Sequence, residues 1–149
     1  MISGMPPTRS IRSLTAIAPM TESDRQALIL LNQKLLDSIR EGDWEAYQQL
    51  CDATLTCFEP ETRGHLVEGL EFHRFYFELG GHLGPHAHTI CAPHVRMLGE
   101  NAALVCFTRL VQRLGADGQP QTVRFAESRV WQRIDGRWQH VHFHRSPDK

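Results

Sequence analysis

Four long strand-like segments separated only by short turns fill the second half of the chain, and they constrain the fold more than any other feature. Strand-forming residues and apolar–polar alternation predict strands over residues 88–98, 102–114, 121–134 and 137–145. Asp135-Gly136, between the last two segments, is a dipeptide preferred in two-residue hairpins. Because connections this short join antiparallel neighbours, the sequence predicts an antiparallel meander.

Helices precede these strands. Thr21 and Asp24 have the spacing of a capping box, with Asp in place of the usual Glu, and they predict the start of a first helix. Gly42 ends this helix, and Asp43 caps a second, shorter one. The apolar stripe of the first helix consists of Leu28, Leu31, Leu35 and Ile39, with Ala27, Leu30 and Leu36 beside it.

Between these helices and the meander, the sequence predicts a short strand over residues 54–58 and a third helix over residues 66–79. Phe72, Phe75 and Leu79 share one face of that third helix. Helices followed by an antiparallel meander indicate an α+β domain in which one curved sheet wraps around the N-terminal helices. Such a sheet forms a cone, and its concave face is a pocket.

The length of 149 residues suits one domain. We expect residues 1–20 to form a flexible N-terminal tail and residues 21–149 to form the domain. The formal net charge is −1, from 16 basic and 17 acidic residues, so no basic surface is available for a nucleic acid or an anionic membrane. We therefore expect neither as a partner.

The cysteines show no C-x-x-C spacing, and each lies among apolar residues. We interpret them as reduced core thiols, an interpretation that favours a cytoplasmic location. No sequence feature calls for a cofactor, and none is expected. The four cysteines are Cys51, Cys57, Cys91 and Cys106.

Several long strings in the sequence resemble the association (hub) domain of calcium/calmodulin-dependent protein kinase II, and they occur in the same order over about residues 24–146. They are GDWEAYQQLCD (42–52), FEPE (58–61), LVEGLEFHRFYFE (66–78), PHVRMLGE (93–100) and ESRVWQRIDGRWQHVHFHRS (127–146). The resemblance implies the cone fold of the NTF2-like (SnoaL-like) superfamily and a closed ring built from homodimers. The sequence contains no Gly-rich ATP loop, HRD or DFG motif, so we expect a stand-alone hub without kinase activity.

Three arginines fall on strand faces that also carry apolar and aromatic side chains: Arg109, Arg129 and Arg145. A guanidinium on such a face needs a carboxylate partner or an anionic ligand. The resemblance implies that these arginines line the pocket of the family, with His73 on the helix above them. It also implies that this pocket binds small carboxylates, which match the forked guanidinium geometrically.

Tyr76 and Glu127 complete the predicted ligand-binding set. An alternative interpretation is that Glu127 and backbone carbonyls satisfy the arginines internally, without any ligand. The loop over residues 79–86, LGGHLGPH, lacks the tryptophan that the family carries near the pocket mouth. This difference leaves the access to the pocket and the choice of ligand open.

Alternation also places His140, His142 and His144 together on the outer face of the last strand, and His-x-His on a strand can chelate a transition metal. A second pair, His86 and His88, repeats the spacing. We favour a subunit contact over a metal site for these histidines. Trp138 and Val130 are predicted on the same outer face, which a two-fold partner would cover.

A second class of function also stays open. NTF2-like cones include isomerases and dehydratases, which use a buried carboxylate or a His–Asp pair. His73 could serve as a base beside an arginine-stabilised enolate. No tuned acid–base pair is visible in the sequence, so the analysis favours a binding and assembly module over a small-molecule enzyme.

Overall fold

The computed structural model describes residues 19–80 and 84–148. In this part of the chain, the helices are α1 (Glu22–Glu41), α2 (Trp44–Leu50) and α3 (Glu71–Glu78), with a 3-10 turn at Pro60–Thr62. The strands are β1 (Cys51–Phe58), β2 (Val67–Glu68), β3 (His86–Met97), β4 (Ala102–Leu114), β5 (Pro120–Ile134) and β6 (Arg137–Pro147). The predicted tail, residues 1–20, lies outside the described residues apart from Pro19 and Met20.

The structure confirms both predicted helix starts. The Thr21 hydroxyl accepts a hydrogen bond from the backbone N–H of Asp24 at 3.0 Å, and the Asp24 carboxylate accepts one from the backbone N–H of Thr21 at 3.3 Å. Gly42 ends α1 in the left-handed conformation, with φ of 68°. The Asp43 carboxylate accepts from the backbone N–H of Ala46 at 3.0 Å and caps α2.

The strands form one sheet in the order β2-β1-β6-β5-β4-β3. The predicted meander is confirmed, because β3, β4, β5 and β6 pair antiparallel with one another in chain order, and their limits lie within two residues of the predicted ones. β1 begins at Cys51, three residues before its predicted start, and lies parallel to β6. This parallel pairing was not predicted, because β1 and β6 are joined by most of the chain.

The prediction of a helix over residues 66–79 is wrong for its first five residues. Val67–Glu68 forms a short strand against β1 instead. Gly69 then adopts φ of 88°, and its N–H donates to the carbonyl of Leu55 at 2.8 Å. A positive φ at Gly69 interrupts a helix, so α3 begins only at Glu71.

The face of α3 that carries Phe75 and Leu79 is not its buried face. Phe75 is 58 % exposed and Leu79 is 63 % exposed, whereas His73 is buried. Phe77 packs against α2, with its ring centroid 4.9 Å from that of Tyr47. The aromatic residues of α3 occur all around the helix, so hydrophobicity alone does not identify the face that α2 covers.

A bulge in β6 changes which side chains face the helices. Trp131 pairs with His140, but Val130 pairs with His142, so Val141 is an extra residue in β6. His140 therefore lies on the helix-covered face and is 0 % exposed.

The prediction that His140 shares the outer face with His142 and His144 is consequently wrong, because strict alternation holds only in a strand without a bulge. Trp138 was also predicted on the outer face. It pairs with Arg133, two residues from the buried Trp131, and packs against the core on the helix side.

The hydrophobic core lies between α1 and the face of the sheet that carries Trp131. Asn32, a buried polar residue that the apolar stripe does not reveal, connects the two layers. Its side chain accepts from the indole N–H of Trp131 at 3.3 Å and donates to the carbonyl of Leu28 at 2.8 Å. The core also contains Leu35, Leu36, Leu55, Cys51, Cys57, Val105 and Phe143.

Candidate functional site

A cavity of about 430 Å³ opens between α3, the end of α1 and the helix-covered face of the sheet. The predicted residues lie together here. Five of them line the cavity, and Glu127 lies directly behind the arginines with a fully buried side chain. The five lining residues are His73, Tyr76, Arg109, Arg129 and Arg145.

Glu127 bridges two of the arginines. One carboxylate oxygen, Oε2, accepts from Nε of Arg129 at 2.8 Å and lies 2.7 Å from its Nη2. The other oxygen, Oε1, lies 2.8 Å from Nε of Arg109, but that N–H is poorly aligned, so the contact is an ion pair without hydrogen-bond geometry. Burial alone would raise the pKa of Glu127, but the attraction of Arg129 and Arg109 outweighs it and lowers the pKa.

Arg145 has a different pair of carboxylate partners. Its Nη2 donates to Oε2 of Glu59 at 3.1 Å and also to the carboxylate of Glu61. The guanidinium carbon lies 4.7 Å from the ring centroid of Phe125, over the aromatic face. Glu59 and Glu61 are site residues that were not predicted from the sequence. The available signal was their position on either side of Pro60, directly after a predicted strand.

His73 is buried and neutral at the roof of the cavity. Burial and the nearby guanidinium of Arg129 lower its pKa to about 4. Its Nδ1 lies 3.6 Å from Oε1 of Glu59, and its Nε2 lies 3.7 Å from the thiol of Cys57. A neutral imidazole between a carboxylate and a thiol can accept a proton or bind a metal, but it supplies no positive charge for an anion.

His88 is a lining residue that the sequence analysis assigned only to a possible His-x-His pair. Burial and the charge of Arg109 lower its pKa to about 4, so it is neutral as well. Its Nδ1 is buried and has no hydrogen-bond partner among residues 19–80 and 84–148. An unpartnered imidazole nitrogen in a cavity wall favours a ligand or water molecule that forms a hydrogen bond with it.

The inward turn of His140 brings a further residue to the site. Nη1 of Arg129 donates to Nε2 of His140 at 3.4 Å, so Nδ1 carries the imidazole proton. That Nδ1 lies 3.6 Å from the thiol of Cys51. His140 thus holds one edge of the Arg129 guanidinium while Phe143 packs against its face, with the guanidinium carbon 4.6 Å from the ring centroid.

Arg113, a fourth arginine of the cavity lining, forms no ion pair among the described residues, but the charges of the other three arginines are matched. Three guanidiniums are paired with three carboxylates, those of Glu59, Glu61 and Glu127. The interpretation in which the arginines are satisfied internally therefore describes this arrangement, with side-chain carboxylates as the partners. An anion that enters the cavity has to share these guanidiniums with the glutamates already present.

The remaining sequence-based expectations for the site concern the loop and the outer face. Most of the loop over residues 79–86 that lacks a tryptophan is described, but its residues 81–83 lie outside the described part. His142 and His144 stay on the outer face, where the Thr56 hydroxyl lies 2.7 Å from Nδ1 of His142. The three-histidine chelating face does not form, because His140 is on the other side of the sheet.

Comparison with known proteins places this geometry in context. The family model of the calcium/calmodulin dependent protein kinase II association domain matches residues 24–149. The chain is 48% identical over 124 residues to the calcium/calmodulin-dependent protein kinase type II subunit delta of Oryctolagus cuniculus, a match that covers 82% of this chain. The chain spans only 23% of that protein's length.

Solved structures give the same result at the level of the fold. The calcium/calmodulin-dependent kinase II hub homology domain of Chlamydomonas reinhardtii is 45% identical, with a TM-score of 0.78 over 84% of this chain and 98% of that one. A nuclear transport factor 2 (NTF2-like) superfamily protein from Salmonella enterica is 22% identical, with a TM-score of 0.69 over 84% of this chain and 91% of that one. The predicted NTF2-like α+β fold is thereby confirmed. Among the described residues, no helix has both the length and the apolar character that crossing a bilayer requires.

Proposed function

Because the chain belongs to the family of the calcium/calmodulin-dependent protein kinase II association domain, a domain of oligomerisation type, we propose that it is a self-assembling hub. The proposed assembly is a homodimer that closes into a larger ring. We place it in the cytoplasm, in keeping with buried free thiols at Cys51 and Cys57.

The observation that carries this proposal is the matched family together with the outer face of the sheet, which no helix of the described chain covers. Leu104 of β4 pairs with Val130 of β5, which pairs in turn with His142 of β6, and all three side chains lie on the side away from the helices. One sheet with helices on a single face leaves the other face for a partner. A two-fold partner would cover it with the same surface of a second chain.

Light scattering after size exclusion tests the assembly. We expect a mass of about ten chains or more, as for a closed ring of dimers. The variant Val130→Lys, which places a charge in the centre of the outer face, should lower the mass, whereas Gln49→Lys on the exposed end of α2 should not. A mass near two chains for the unmodified protein would refute the ring, and an unchanged mass for Val130→Lys would refute the outer-face contact.

We further propose that the cavity binds a small carboxylate through Arg109, Arg129 and Arg145, with His73, Tyr76 and Glu127 as the other site residues. What supports this is the convergence of three guanidiniums from β4, β5 and β6 on one cavity. Arg145 is the most accessible of them, with 11 % of its side chain exposed. A carboxylate ligand would compete with Glu59 and Glu61 for this guanidinium and form a charge-assisted contact.

Isothermal titration calorimetry with a series of small carboxylates tests the binding. Arg145→Gln should weaken binding by about 10-fold to 100-fold, the cost of losing one hydrogen bond to a charged group. Arg124→Gln is the matched control, because Arg124 lies on β5 with a side chain that is 60% exposed. Equal affinities for unmodified protein and Arg145→Gln would contradict the assignment of the cavity as a carboxylate site.

A small-molecule enzyme, of the isomerase or dehydratase type, is the second candidate function. The specific observation in its favour is the contact between His73 and Glu59, a neutral imidazole beside a carboxylate, which the sequence did not reveal. Two results together would support this candidate. The rate of turnover of a small carboxylate would fall as pH decreases towards the pKa of His73, and the variant His73→Gln would show no turnover. Binding without turnover at any pH would exclude it.

A further inference from the structure

Three different metal-ligating side chains converge behind the wall of the cavity. The ligand atoms of Cys57, Glu59 and His73 all lie within 4.8 Å of one another. The thiol sulphur is 3.7 Å from Nε2 of His73 and 4.0 Å from Oε1 of Glu59. The same Oε1 is 3.6 Å from Nδ1 of His73.

The fold explains why these groups meet. Cys57 and Glu59 are two residues apart at the end of β1, so both side chains point to the helix-covered face. α3 packs over that end of the strand and directs His73 at them. Cys57 is 0 % exposed, and His73 is also buried, while His73 and Glu59 both reach the cavity.

A small tetrahedral ion fits this group once its ligand atoms move closer together. Zinc–sulphur bonds of about 2.3 Å and zinc–nitrogen or zinc–oxygen bonds of about 2.0 Å place tetrahedral ligand atoms about 3.5 Å apart. Only one imidazole nitrogen can bind the ion, and one ligand atom from each residue lies within 4.8 Å of the others, so the ligand atoms need to approach by roughly 1 Å at most. Sulphur, imidazole nitrogen and carboxylate oxygen are the three donor types that zinc uses in proteins.

We propose that Cys57, His73 and Glu59 bind a divalent transition-metal ion of the Zn²⁺ class, with the fourth coordination position open to the cavity. Three protein ligands and one open position are the pattern of zinc sites that exchange a ligand. The proposal depends neither on self-assembly nor on carboxylate binding by the arginines.

The surrounding charges decide how such a site would work. Arg145 contacts only Oε2 of Glu59, so Oε1 is left for the ion. Binding replaces the thiol proton of Cys57, which leaves to solvent, so one proton is released for each ion bound. The bound ion and the thiolate together add one net positive charge to the site. A carboxylate in the open position would neutralise that charge.

The chain contains an internal control for this site. Cys51, on the same strand, is also buried and lies 3.6 Å from an imidazole nitrogen of His140. No carboxylate completes a group there in the described part of the chain, and the second nitrogen of His140 is taken by Arg129. We therefore expect that the thiol of Cys51 and the imidazole of His140 do not bind the metal ion on their own.

Titration of the full, tag-free chain with Co²⁺ tests the proposal, because a cobalt–thiolate bond gives an ultraviolet charge-transfer band that histidine and carboxylate ligands do not. We expect the band to saturate at one Co²⁺ per chain and to disappear on addition of one equivalent of Zn²⁺. Cys57→Ser and Cys57→Ala should abolish the band, and Cys51→Ala should retain it. Glu59→Gln should weaken Co²⁺ binding by more than about 10-fold, the least that loss of a supporting group costs.

Circular dichroism and the mass in solution establish that each variant is folded. A folded unmodified chain without the band at stoichiometric Co²⁺ would overturn the proposal. A band that persists in both Cys57 variants, or that disappears in Cys51→Ala, would overturn it as well, because the thiolate would then belong to another site.

Discussion

The substitution Glu127→Gln removes the single negative charge between two buried guanidiniums while it keeps the shape of the side chain. Glu127 is 0 % exposed in its side chain, and the side chains of Arg109 and Arg129 are 7% and 2% exposed. Solvent therefore cannot replace the lost carboxylate without a rearrangement of the cavity wall.

The expected loss of stability follows from that burial. Removing one member of a buried ion pair costs about 3–5 kcal/mol, because the remaining charge is left uncompensated in the interior. For a chain of this size, each kcal/mol corresponds to about 3 °C in the melting temperature, so we expect a decrease of about 10–15 °C. Thermal unfolding of an assembly depends on protomer concentration, which is held constant between variants.

The contribution of Glu127 to the free energy of unfolding should depend on pH. The pKa of Glu127 is lower in the folded chain than in the unfolded one, so its stabilisation is complete above the unfolded value of about 4.3. It is lost as the pH falls through the lower, folded value. The difference between unmodified protein and Glu127→Gln should therefore be constant above about pH 5 and decrease below it.

Differential scanning calorimetry of Glu127→Gln, with Glu100→Gln in the exposed turn after β3 as the control, measures the effect. Acetate should stabilise Glu127→Gln more than the unmodified protein, because the two arginines have lost their internal anion. A decrease in melting temperature of less than about 3 °C, the equivalent of 1 kcal/mol, would show that the ion pairs contribute little to stability. Burial of the two guanidiniums would then not make Glu127 important for folding.

Three further changes have defined outcomes. As pH falls from 6.5 towards 4, the free energy of unfolding should decrease, because His73 and His88 have folded pKa values of about 4 and the unfolded chain binds protons first. Urea unfolding at several pH values measures this decrease. A free energy of unfolding that does not change over this pH range would contradict the prediction. Asp43→Ala should destabilise the chain by about 1 kcal/mol in urea through loss of the α2 cap, whereas Asp43→Ser should not. Gly136→Ala should cost about 1 kcal/mol or more by the same assay, because φ at this hairpin position is 76°, and Gly136→Asn should cost less.

Local rules account for most of the fold that the sequence predicted. The capping residues Thr21 and Asp43, the helix end at Gly42 and the hairpin at Asp135 each depend on neighbours within a few residues. The predictions failed where a distant element decides the outcome. The residues before α3 join the sheet because β1 offers an edge to them, and Gly69 is the local signal in their own sequence against a continuous helix.

The difference between features set by sequence neighbours and features set by distant elements also explains how far the candidate site was predictable. Alternation showed that Arg129 and Arg145 would need compensation for their charge, because each shares a face with aromatic residues. It could not show that Glu59 compensates Arg145, since the two are 86 residues apart in the chain. The bulge at Val141 then supplies His140 as a second support for Arg129, and one extra residue in β6 is enough to move that histidine across the sheet. The sequence therefore predicts which charges of such a site need a partner. It does not predict which residues are the partners, because that depends on how the strands pair.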